Sequence, residues 1–510
     1  MDGIFCFPNV NFIGLNGSVR IFRKNTHLFH KQILLLRKFR QQKNNNMELF
    51  EKQVYASRRE RLMKSGLRGI ALFIGNTESP MDYPANGYHF RQDSTFSYFF
   101  GLDIPDMAGV IDFDEGKQIL FANDVDIEDI IWMGPQPAVK DLAAKAGISE
   151  TYPFAELVNY LAKAKSQSRP VHFLPPYRAE TKIMINSMLN IPFSEMKASA
   201  SVDLIKAVVA LRAIKEQCEI DELEVAAKIG YEMHMVAFRN ARPGIVEQEI
   251  CGLMEGVAYQ YGKGPSFPII LSVRGETLHN HNHSNVMQAG QMLLSDAGAQ
   301  SNKYYTSDYT RTMPVSGKFS EQQKMIYQIV LDANNHALSI TKPEVTYQSV
   351  HLSVCRVIAE GLKNAGLMKG NVEEAVKAGA HAMFLPHGLG HMMGMNVHDM
   401  EDLGENYVGY DDEVSRIDQF GTAYLRMGRR LKAGHVMTDE PGIYFIPELI
   451  DQWKAEKKFE DFINYAEVEK VKTFGGIRLE DDILVTETGS RFIGKRLPIT
   501  IAEVEEAMKK

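Results

Sequence analysis

The chain has 510 residues, of which 45% are hydrophobic and 24% are charged, and its net charge is −7. This composition is typical of a globular protein, and at roughly 100–200 residues per domain the length predicts two or three domains. The acidic balance argues against nucleic acid as a partner, and no apolar run reaches the roughly 18 residues of a membrane-spanning helix. We therefore expect neither nucleic acid nor a membrane to be a partner of this chain.

The first 46 residues differ from the rest in composition, because they contain eight Lys and Arg residues against one Asp. Such an Arg-rich, acid-poor segment is compatible with a targeting peptide. The alternative, which we favour, is a basic extension that is non-native or disordered. The cysteines are scattered and form no CxxC pair, which indicates a reducing compartment and predicts a cytoplasmic location; they are Cys6, Cys218, Cys251 and Cys355.

Residues 47–200 alternate short apolar runs with helical patterns, which predicts an α/β domain. A capped helix is expected over 148–166, and strands are expected over 69–75, 108–113, 117–123 and 170–176. From 201 to 241 the sequence is continuously helix-periodic, with Gly244 as a stop signal. We therefore place a domain boundary near 195–205 and predict a second domain, again of mixed α/β (α+β) class, over 201–510.

The first candidate site residues are Asp296 and Asp308, which flank the turn-like stretch "SNK". A hairpin centred on Asn302 would place the two carboxylates directly opposite each other, about 5 Å apart on one face of the sheet. Two like charges so placed repel each other unless a cation lies between them. The pair therefore predicts a metal ion, although two exposed carboxylates on a solvated hairpin would give the same pattern.

Two further strand-like segments present acidic residues. In "FGGIRLEDDILV", strand alternation puts Arg478 and Glu480 on one face. In "GHVMTDEPGIYF", Glu440 comes directly before Pro441 and Gly442, at the end of a strand, where sites are often built. Each segment is weak evidence by itself, since half-buried strands commonly carry polar residues on one face.

The segment "HGLGHMMGMNVHD" contains three histidines, His387, His391 and His398. Its glycines disfavour a regular helix and permit a close approach of the backbone to a ligand. Either His387 or His391 is a candidate metal ligand. A buried histidine in a core is the common alternative, but three histidines together with several carboxylates are harder to explain that way.

These segments resemble the pita-bread metallopeptidases, in the branch of aminopeptidase P (Xaa-Pro aminopeptidase) and prolidase (Xaa-Pro dipeptidase). The similar segments are "LHNHNHSNVMQAGQMLLSDAG", "SDYTRTMPVSGKF", "FLPHGLGHMMGMNVHD", "DEPGIY" and "GGIRLEDDILVT", in the order of the family. Upstream, "YHFRQDSTFSYFFGL" and "WMG" resemble the N-terminal domain of the proline-specific members. The resemblance implies a pita-bread catalytic domain behind a smaller α/β domain.

The resemblance also implies the residues of the site. Five metal ligands fall on Asp296, Asp308, His391, Glu440 and Glu480. They would hold two divalent ions that activate a water as hydroxide. The mostly carboxylate set favours Mn²⁺, with Co²⁺, Zn²⁺ or Fe²⁺ as alternatives. Glu440 would act as the proton carrier, Arg478 would support Glu480 or Asp308, and the remaining histidines would bind substrate or the oxyanion; these are His279, His387 and His398.

The resemblance implies peptides with proline at the second position as substrates, and a homodimer or homotetramer. Xaa-Pro aminopeptidase is the favoured activity, and Xaa-Pro dipeptidase is the alternative. Arg426 and the long interval between Glu440 and Glu480 resemble prolidases, in which such an arginine grips the carboxylate of a dipeptide. A metal-free binding module of the same fold is a remote alternative, because it would predict lost ligands.

Two departures from the family pattern accompany these matches. Asp439 stands where relatives usually carry an apolar residue, and strand alternation makes it face away from the site. The spacing of Asp296 and Asp308 is one residue longer than in some relatives but keeps the two carboxylates on one face.

Overall fold

The computed structural model describes residues 49–509. The prediction for residues 1–46 therefore lies outside the described residues. The strands, numbered in chain order, are β1 Ile70–Ile74, β2 Ala108–Asp112, β3 Lys117–Phe121, β4 Glu150–Tyr152, β5 Val171–His172, β6 Gly264–Pro265, β7 Ile270–Ser272, β8 Met292–Ala297, β9 Ala299–Gln300, β10 Tyr309–Pro314, β11 Val436–Asp439, β12 Gly442–Tyr444, β13 Gly476–Arg478, β14 Asp481–Val485 and β15 Ser490–Phe492.

Helices precede, separate and follow these strands along the chain. The α-helices are Lys52–Met63, Ser94–Phe100, Ile127–Met133, Val139–Lys145, Glu156–Ser166, Ala179–Leu189, Met196–Ser199, Val202–Arg212, Gln217–Asn240, Glu247–Tyr261, Glu321–Ile340, Tyr347–Asn364, Val372–Ala378, Glu405–Val408, Pro447–Ala455, Tyr465–Val468 and Ile501–Ala507. Short 3₁₀ turns cover Ala380–Met383, Glu401–Leu403, Thr422–Tyr424 and Glu469–Val471.

The N-terminal part is built on one mixed sheet with the strand order β4-β3-β2-β1-β5. Its core is formed by strand residues such as Ile70 and Val110, packed against Leu157 and Leu161 of the helix Glu156–Ser166. The helix predicted over 148–166 is half wrong, because its first part is the edge strand β4. Pro153 lies between the two elements. Because proline lacks the backbone N–H that a helix interior requires, one helix cannot run through this position.

The predicted continuous helix over 201–241 is interrupted after Arg212. Two helices result, Val202–Arg212 and Gln217–Asn240. At the break, Lys215 Nζ donates to the carbonyl of Arg212 at 2.7 Å and to Asp399 Oδ2 at 2.9 Å. Periodicity alone does not show such a break, because the apolar stripe resumes directly behind it.

The C-terminal part carries two three-stranded sheets, β10-β8-β7 and β11-β14-β15, and the pair β12-β13. An isolated bridge between Thr310 and Glu480 connects β10 to the segment between β13 and β14. The long helices Gln217–Asn240 and Glu321–Ile340 pack against these strands from outside. This arrangement brings the ends of β8, β10, β11 and β13 to one place.

The predicted register of the Asp296 hairpin is wrong by two residues. Asp296 lies opposite Thr310, and Ala297 lies opposite Tyr309. The bridge between Gln300 and Thr306 moves the centre of the turn one residue downstream, from Asn302 to Lys303. Because the slip is an even number of residues, Asp296 and Asp308 keep the same face of the sheet.

In residues 49–509, no helix combines the length and the apolar composition that crossing a membrane would require.

Candidate metal centre

Five side chains predicted from the sequence line one cavity of about 560 Å³: Asp296, Asp308, His391, Glu440 and Glu480. Each comes from the end of a strand or from a loop beside one. Asp296 lies within β8, and Asp308 directly precedes β10. Glu440 directly follows β11, as the "EPG" segment predicts. These residues are far apart in the sequence, and the pairing of strands into sheets brings them together.

His391, Asp308 and Glu480 form the centre of the group. Ligand atoms of these three buried residues all lie within 4.8 Å of one another. His391 Nδ1 donates to the carbonyl of Met392 at 3.2 Å. The other ring nitrogen, Nε2, therefore faces the carboxylates, at 3.4 Å from Asp308 and 3.8 Å from Glu440. A backbone acceptor that fixes the tautomer in this way is typical of metal-ligating histidines.

Arg478 contributes the positive charge in contact with this group. Its Nη2 pairs with Asp296 Oδ2 at 2.5 Å, whereas its Nε is 4.0 Å from Glu480. Arg478 thus lies beside Glu480, one of the two partners that the resemblance implies, while its main partner is Asp296. Thr310 Oγ1 accepts from Arg478 Nε at 3.0 Å and donates to Glu480 Oε2 at 2.6 Å.

The protein alone leaves this cluster electrostatically unfavourable. Burial, reinforced by the charges of Glu480 and Asp296, holds the pKa of Asp308 well above its ordinary value. Burial and the charge of Glu440 do the same to the pKa of Glu480. Burial raises the pKa of Glu440 to about 7, with Arg478 acting in the opposite direction. Cations placed between these carboxylates would reverse all three effects.

Two carboxylate oxygens in the cavity, Asp296 Oδ1 and Asp308 Oδ1, are buried and have no hydrogen-bond partner among the described residues. A buried polar atom of this kind is costly unless something binds it. Four carboxylates with one imidazole are a donor set suited to divalent ions that prefer oxygen. The residues present therefore fit a divalent metal centre.

His387 lies at the edge of the same cavity with a defined tautomer. Its Nδ1 donates to the carbonyl of Gly388 at 2.7 Å, and its Nε2 accepts from the hydroxyl of Tyr444 at 2.9 Å. The same hydroxyl accepts from Arg478 Nη1 at 2.9 Å. Burial lowers the pKa of His387 to about 3, and the charge of Arg478 adds to this effect. His387 is therefore neutral, 3.8 Å from Glu440.

His398, His279 and Arg426 also line the cavity. His398 packs against His391 with ring centroids 4.0 Å apart and the rings tilted by 52°, and its Nδ1 donates to Glu401 at 2.5 Å. Arg426 is paired with Glu401 and lies 3.3 Å from Glu405. The sequence predicts the presence of Arg426 in the site, whereas its two acidic partners are visible only in the structure.

The loop that carries His398 is anchored by a buried ion pair. Asp399 binds Arg212 at 2.7 Å and Lys215 at 2.9 Å. Burial alone would raise the pKa of Asp399, but these two cations outweigh it and lower the pKa. Arg212 also donates to Thr95 of the N-terminal part at 2.7 Å. The segment between the helices Val202–Arg212 and Gln217–Asn240 is thus bound to the loop that carries His398.

Asp439, the departure noted in the sequence, is buried in β11 with neither carboxylate oxygen hydrogen-bonded within the described chain. It pairs across the sheet with Asp481. Burial and the neighbouring charge of Asp481 hold its pKa well above the ordinary value. Burial therefore favours the protonated form of this core side chain.

Sequence reasoning missed Thr310, Tyr444 and His281 as residues of the site. Thr310 follows Asp308 by two positions, so strand alternation would have placed it on the same face. Tyr444 follows Glu440 by four positions across a turn, and His281 lines the cavity beside His279. For Tyr444 and His281 no local signal distinguishes a functional residue from an ordinary aromatic or polar one.

Comparison with known proteins agrees with this geometry. Metallopeptidase family M24 matches residues 221–487, and the family described as aminopeptidase P, N-terminal domain, matches residues 55–172. Among curated proteins, the chain is 30% identical to the Xaa-Pro dipeptidase of Homo sapiens over 86% of this chain and 88% of that protein. It is 31% identical to a probable Xaa-Pro aminopeptidase of Fusarium vanettenii, over 82% and 86%.

Solved structures show the same similarity in three dimensions. Zinc-substituted aminopeptidase P of E. coli in complex with product superimposes with a TM-score of 0.72 at 26% identity, covering 90% of this chain and 99% of that one. Proline aminopeptidase P II of Yersinia pestis gives a TM-score of 0.74 at 26% identity, with the same two coverages.

Fold and cavity together define a metal-dependent peptidase with a pita-bread catalytic fold. The chain belongs to metallopeptidase family M24. The predicted α/β class, the fold and the family resemblance are confirmed. A divalent metal requirement follows from this membership, and the metal-free alternative has no support.

Proposed function

We propose that this protein is a Xaa-Pro aminopeptidase, which hydrolyses the bond between an N-terminal residue and a following proline. The observation that carries the proposal is the convergence of four carboxylates and His391 on one cavity, beside His387 and His398. The similarity to aminopeptidase P of E. coli over 90% of the chain supports it.

In this proposal two divalent ions, Mn²⁺ by preference, are held by Asp296, Asp308, His391, Glu440 and Glu480. When bound, the ions supply Lewis acidity and lower the pKa of a bound water. The preference for Mn²⁺ rests on the number of carboxylates in the donor set. Asp308 and Glu480 would hold the ions from the centre of the group.

The chain's own residues then handle the proton and the substrate. A carboxylate oxygen of Glu440 takes the proton of the attacking water and delivers it to the leaving nitrogen. That nitrogen belongs to proline and carries no hydrogen before cleavage. Selection for proline therefore comes from ring shape and from neighbours such as His387. His279 and His398 bind polar groups of the substrate or stabilise the developing oxyanion.

A specific observation also favours the alternative, a Xaa-Pro dipeptidase. Arg426 lines the cavity and is a candidate ligand for the carboxylate of a dipeptide. In this structure, however, Arg426 is paired with Glu401 and lies close to Glu405, so its charge is largely neutralised. A second cavity of about 590 Å³ shares Val397 and His398 with the first. Room of this size beside the site supports substrates longer than two residues.

The long interval between Glu440 and Glu480 does not narrow the cavity directly. Residues 446–474 contribute no side chain to its lining within the described chain. This segment is helical over Pro447–Ala455 and Tyr465–Val468, with turns between the two helices. Trp453 of this helix packs on Phe420. Phe420 in turn contacts Tyr424, which lines the cavity.

We expect the purified enzyme, supplied with Mn²⁺, to cleave a Xaa-Pro-Yaa tripeptide with a higher kcat/KM than the matching Xaa-Pro dipeptide. The physical reason is that Arg426 is compensated by Glu401 and is a weak site for a second carboxylate. Product analysis of both substrates with and without a chelator measures the effect. Hydrolysis confined to the dipeptide would establish the dipeptidase instead, and activity unchanged by a chelator would refute the metal mechanism.

We further propose that the chain functions as a homodimer or homotetramer. The helix Ile127–Met133 has no buried residue, although it begins with a capping box at Asp126. Four of its apolar side chains are 61% to 80% exposed, namely Ile127, Ile131, Trp132 and Met133. An apolar patch of this kind on an ordered element is typical of an interaction surface.

Introducing charge into this patch with Ile131→Glu and Trp132→Glu should convert the oligomer to monomers, with the secondary structure unchanged. Light scattering coupled to size exclusion measures the mass. Val158→Glu, at an exposed apolar position on another helix, should leave the oligomer intact. A wild-type chain that is monomeric at micromolar concentration would contradict the proposal.

The remaining assignments complete the proposal. Residues 47–200 would form the N-terminal domain and 201–510 the catalytic domain, behind the basic extension 1–46. A cytoplasmic location is proposed from the cysteines, because the three that are described, Cys218, Cys251 and Cys355, are free thiols.

A further inference from the structure

A second group of metal-ligating side chains lies in the core and shares no residue with the catalytic cavity. It consists of His351, Cys355 and His381, whose ligand atoms all lie within 4.8 Å of one another. All three residues are fully buried. His351 and Cys355 are four residues apart on the helix Tyr347–Asn364, so they share one face of that helix. His381 comes from the 3₁₀ turn Ala380–Met383.

The distances suit coordination to one ion. Cys355 Sγ lies 3.6 Å from His351 Nε2. Bonds of about 2.0–2.3 Å to a tetrahedral ion place two ligand atoms about 3.5 Å apart. The remaining separations are at most 4.8 Å. A hydrogen bond between thiol and imidazole would explain why Cys355 and His351 lie close together, but it would not explain the position of His381.

His381 is the observation that points to a ligand. Both of its ring nitrogens are buried and neither has a hydrogen-bond partner among the described residues. Burying an imidazole without partners is costly, and here the ring faces a thiol and a second imidazole. Burial lowers the pKa of His351 to about 3 and that of His381 to about 4, so both are neutral, which is the form that binds metals.

From this geometry we infer that His351, Cys355 and His381 form a second, structural metal site for a thiophilic closed-shell ion, Cu⁺ or Zn²⁺. A soft thiolate with two imidazoles selects such ions over the oxygen-preferring ions of the catalytic cavity. On binding, the ion replaces the thiol proton of Cys355, which leaves to solvent. Charge balance favours Cu⁺, because one thiolate neutralises it completely, whereas Zn²⁺ would keep a net buried charge.

The location gives the site a structural role. The turn Ala380–Met383 leads directly into the segment that carries His387 and His391. Phe384, the next residue, accepts a backbone hydrogen bond from Tyr444 at 2.9 Å. A metal linking His381 to the helix Tyr347–Asn364 would therefore hold the start of the catalytic loop against the core.

The experiment uses the full-length enzyme with its catalytic site loaded with Mn²⁺. Cu⁺ and Zn²⁺ are titrated in separate arms, and bound metal is counted by mass spectrometry after desalting. We expect one additional equivalent of a thiophilic ion and a higher unfolding temperature. Cys355→Ser and His381→Gln should each reduce the affinity by more than the roughly 10–100-fold that loss of a supporting residue causes. Cys251→Ser, which changes a buried free thiol outside the cluster, should reduce nothing.

Cobalt substitution gives a readout that does not depend on stability. Co²⁺ bound here should show a sulfur-to-cobalt charge-transfer band, which the catalytic ligands, having no thiolate, cannot produce. The band should disappear in Cys355→Ser and persist in Cys251→Ser. A wild-type enzyme that takes up no additional Cu⁺ or Zn²⁺, or a cobalt band unchanged by Cys355→Ser, would overturn the proposal, because water or nothing would then fill the core beside His381.

Discussion

Replacing Asp308 with asparagine should nearly abolish peptidase activity while making the metal-free protein more stable. The substitution removes a central ligand, so kcat/KM at saturating Mn²⁺ should fall by about 10³-fold or more, beyond the roughly 10–100-fold of a supporting residue. The same change relieves repulsion among the buried carboxylates. The free energy of unfolding without metal should therefore rise by roughly 1–3 kcal/mol.

Initial rates on a Xaa-Pro-Yaa tripeptide and denaturant unfolding with a chelator measure the two effects. Asp412→Asn, at an exposed position, serves as the control and should change neither quantity. Manganese should stabilise the wild type much more than the Asp308 variant, since a ligand stabilises only the state that binds it. If Asp308→Asn lost stability without metal and kept its response to manganese, the assignment of Asp308 as a ligand would be wrong.

The second large effect is expected at Arg311, on the opposite face of β10 from the metal centre. Arg311 is fully buried and binds Asp481 at 2.6 Å. It also donates to the carbonyl of Glu480 at 2.7 Å and to that of Pro498 at 3.0 Å. Arg311→Met should lower the free energy of unfolding by about 3–5 kcal/mol, because it leaves a buried carboxylate short of one partner.

Equilibrium unfolding in urea tests this expectation. The matched control is Arg491→Met, which breaks an exposed pair with Glu224 and should cost about 0–1 kcal/mol. The double variant Arg311→Met with Asp481→Leu should recover part of the loss, since it also removes the carboxylate that was left short of one partner. Equal losses of unfolding free energy for Arg311→Met and Arg491→Met would show that the buried network stabilises the protein no more than the exposed pair does.

The positions of the five proposed ligands were predictable because their short segments resemble those of one family, and some of these segments also have a local signal. Glu440 was expected at the end of a strand because Pro441 and Gly442 follow it, and the structure ends β11 at Asp439. The side shared by Asp296 and Asp308 followed from an even separation, which survives an even slip in register. The register itself was wrong, because it depends on how Gln300 pairs across the turn.

What no local pattern contains is the choice of partner across the fold. Arg478 pairs with Asp296, from which it is separated by 182 residues, and this pairing exists only once β13 and β8 are assembled. Tyr444 joins His387 to Arg478 for the same reason. The metal site proposed at His351, Cys355 and His381 belongs to this class too, since its third member arrives from a separate turn.

The amino-acid sequence by itself determined the α/β class and, through the resemblance of its motifs to one family, the five side chains that line the catalytic cavity together. The two-residue period of strands added only that Asp296 and Asp308 share a face. The tertiary structure alone decided the hairpin register, the break after Arg212, the pairing of Arg426 with Glu401 and the burial of His381. Those features depend on packing between segments far apart in the chain, where local preference is overridden by the burial of apolar surface and the pairing of buried charges.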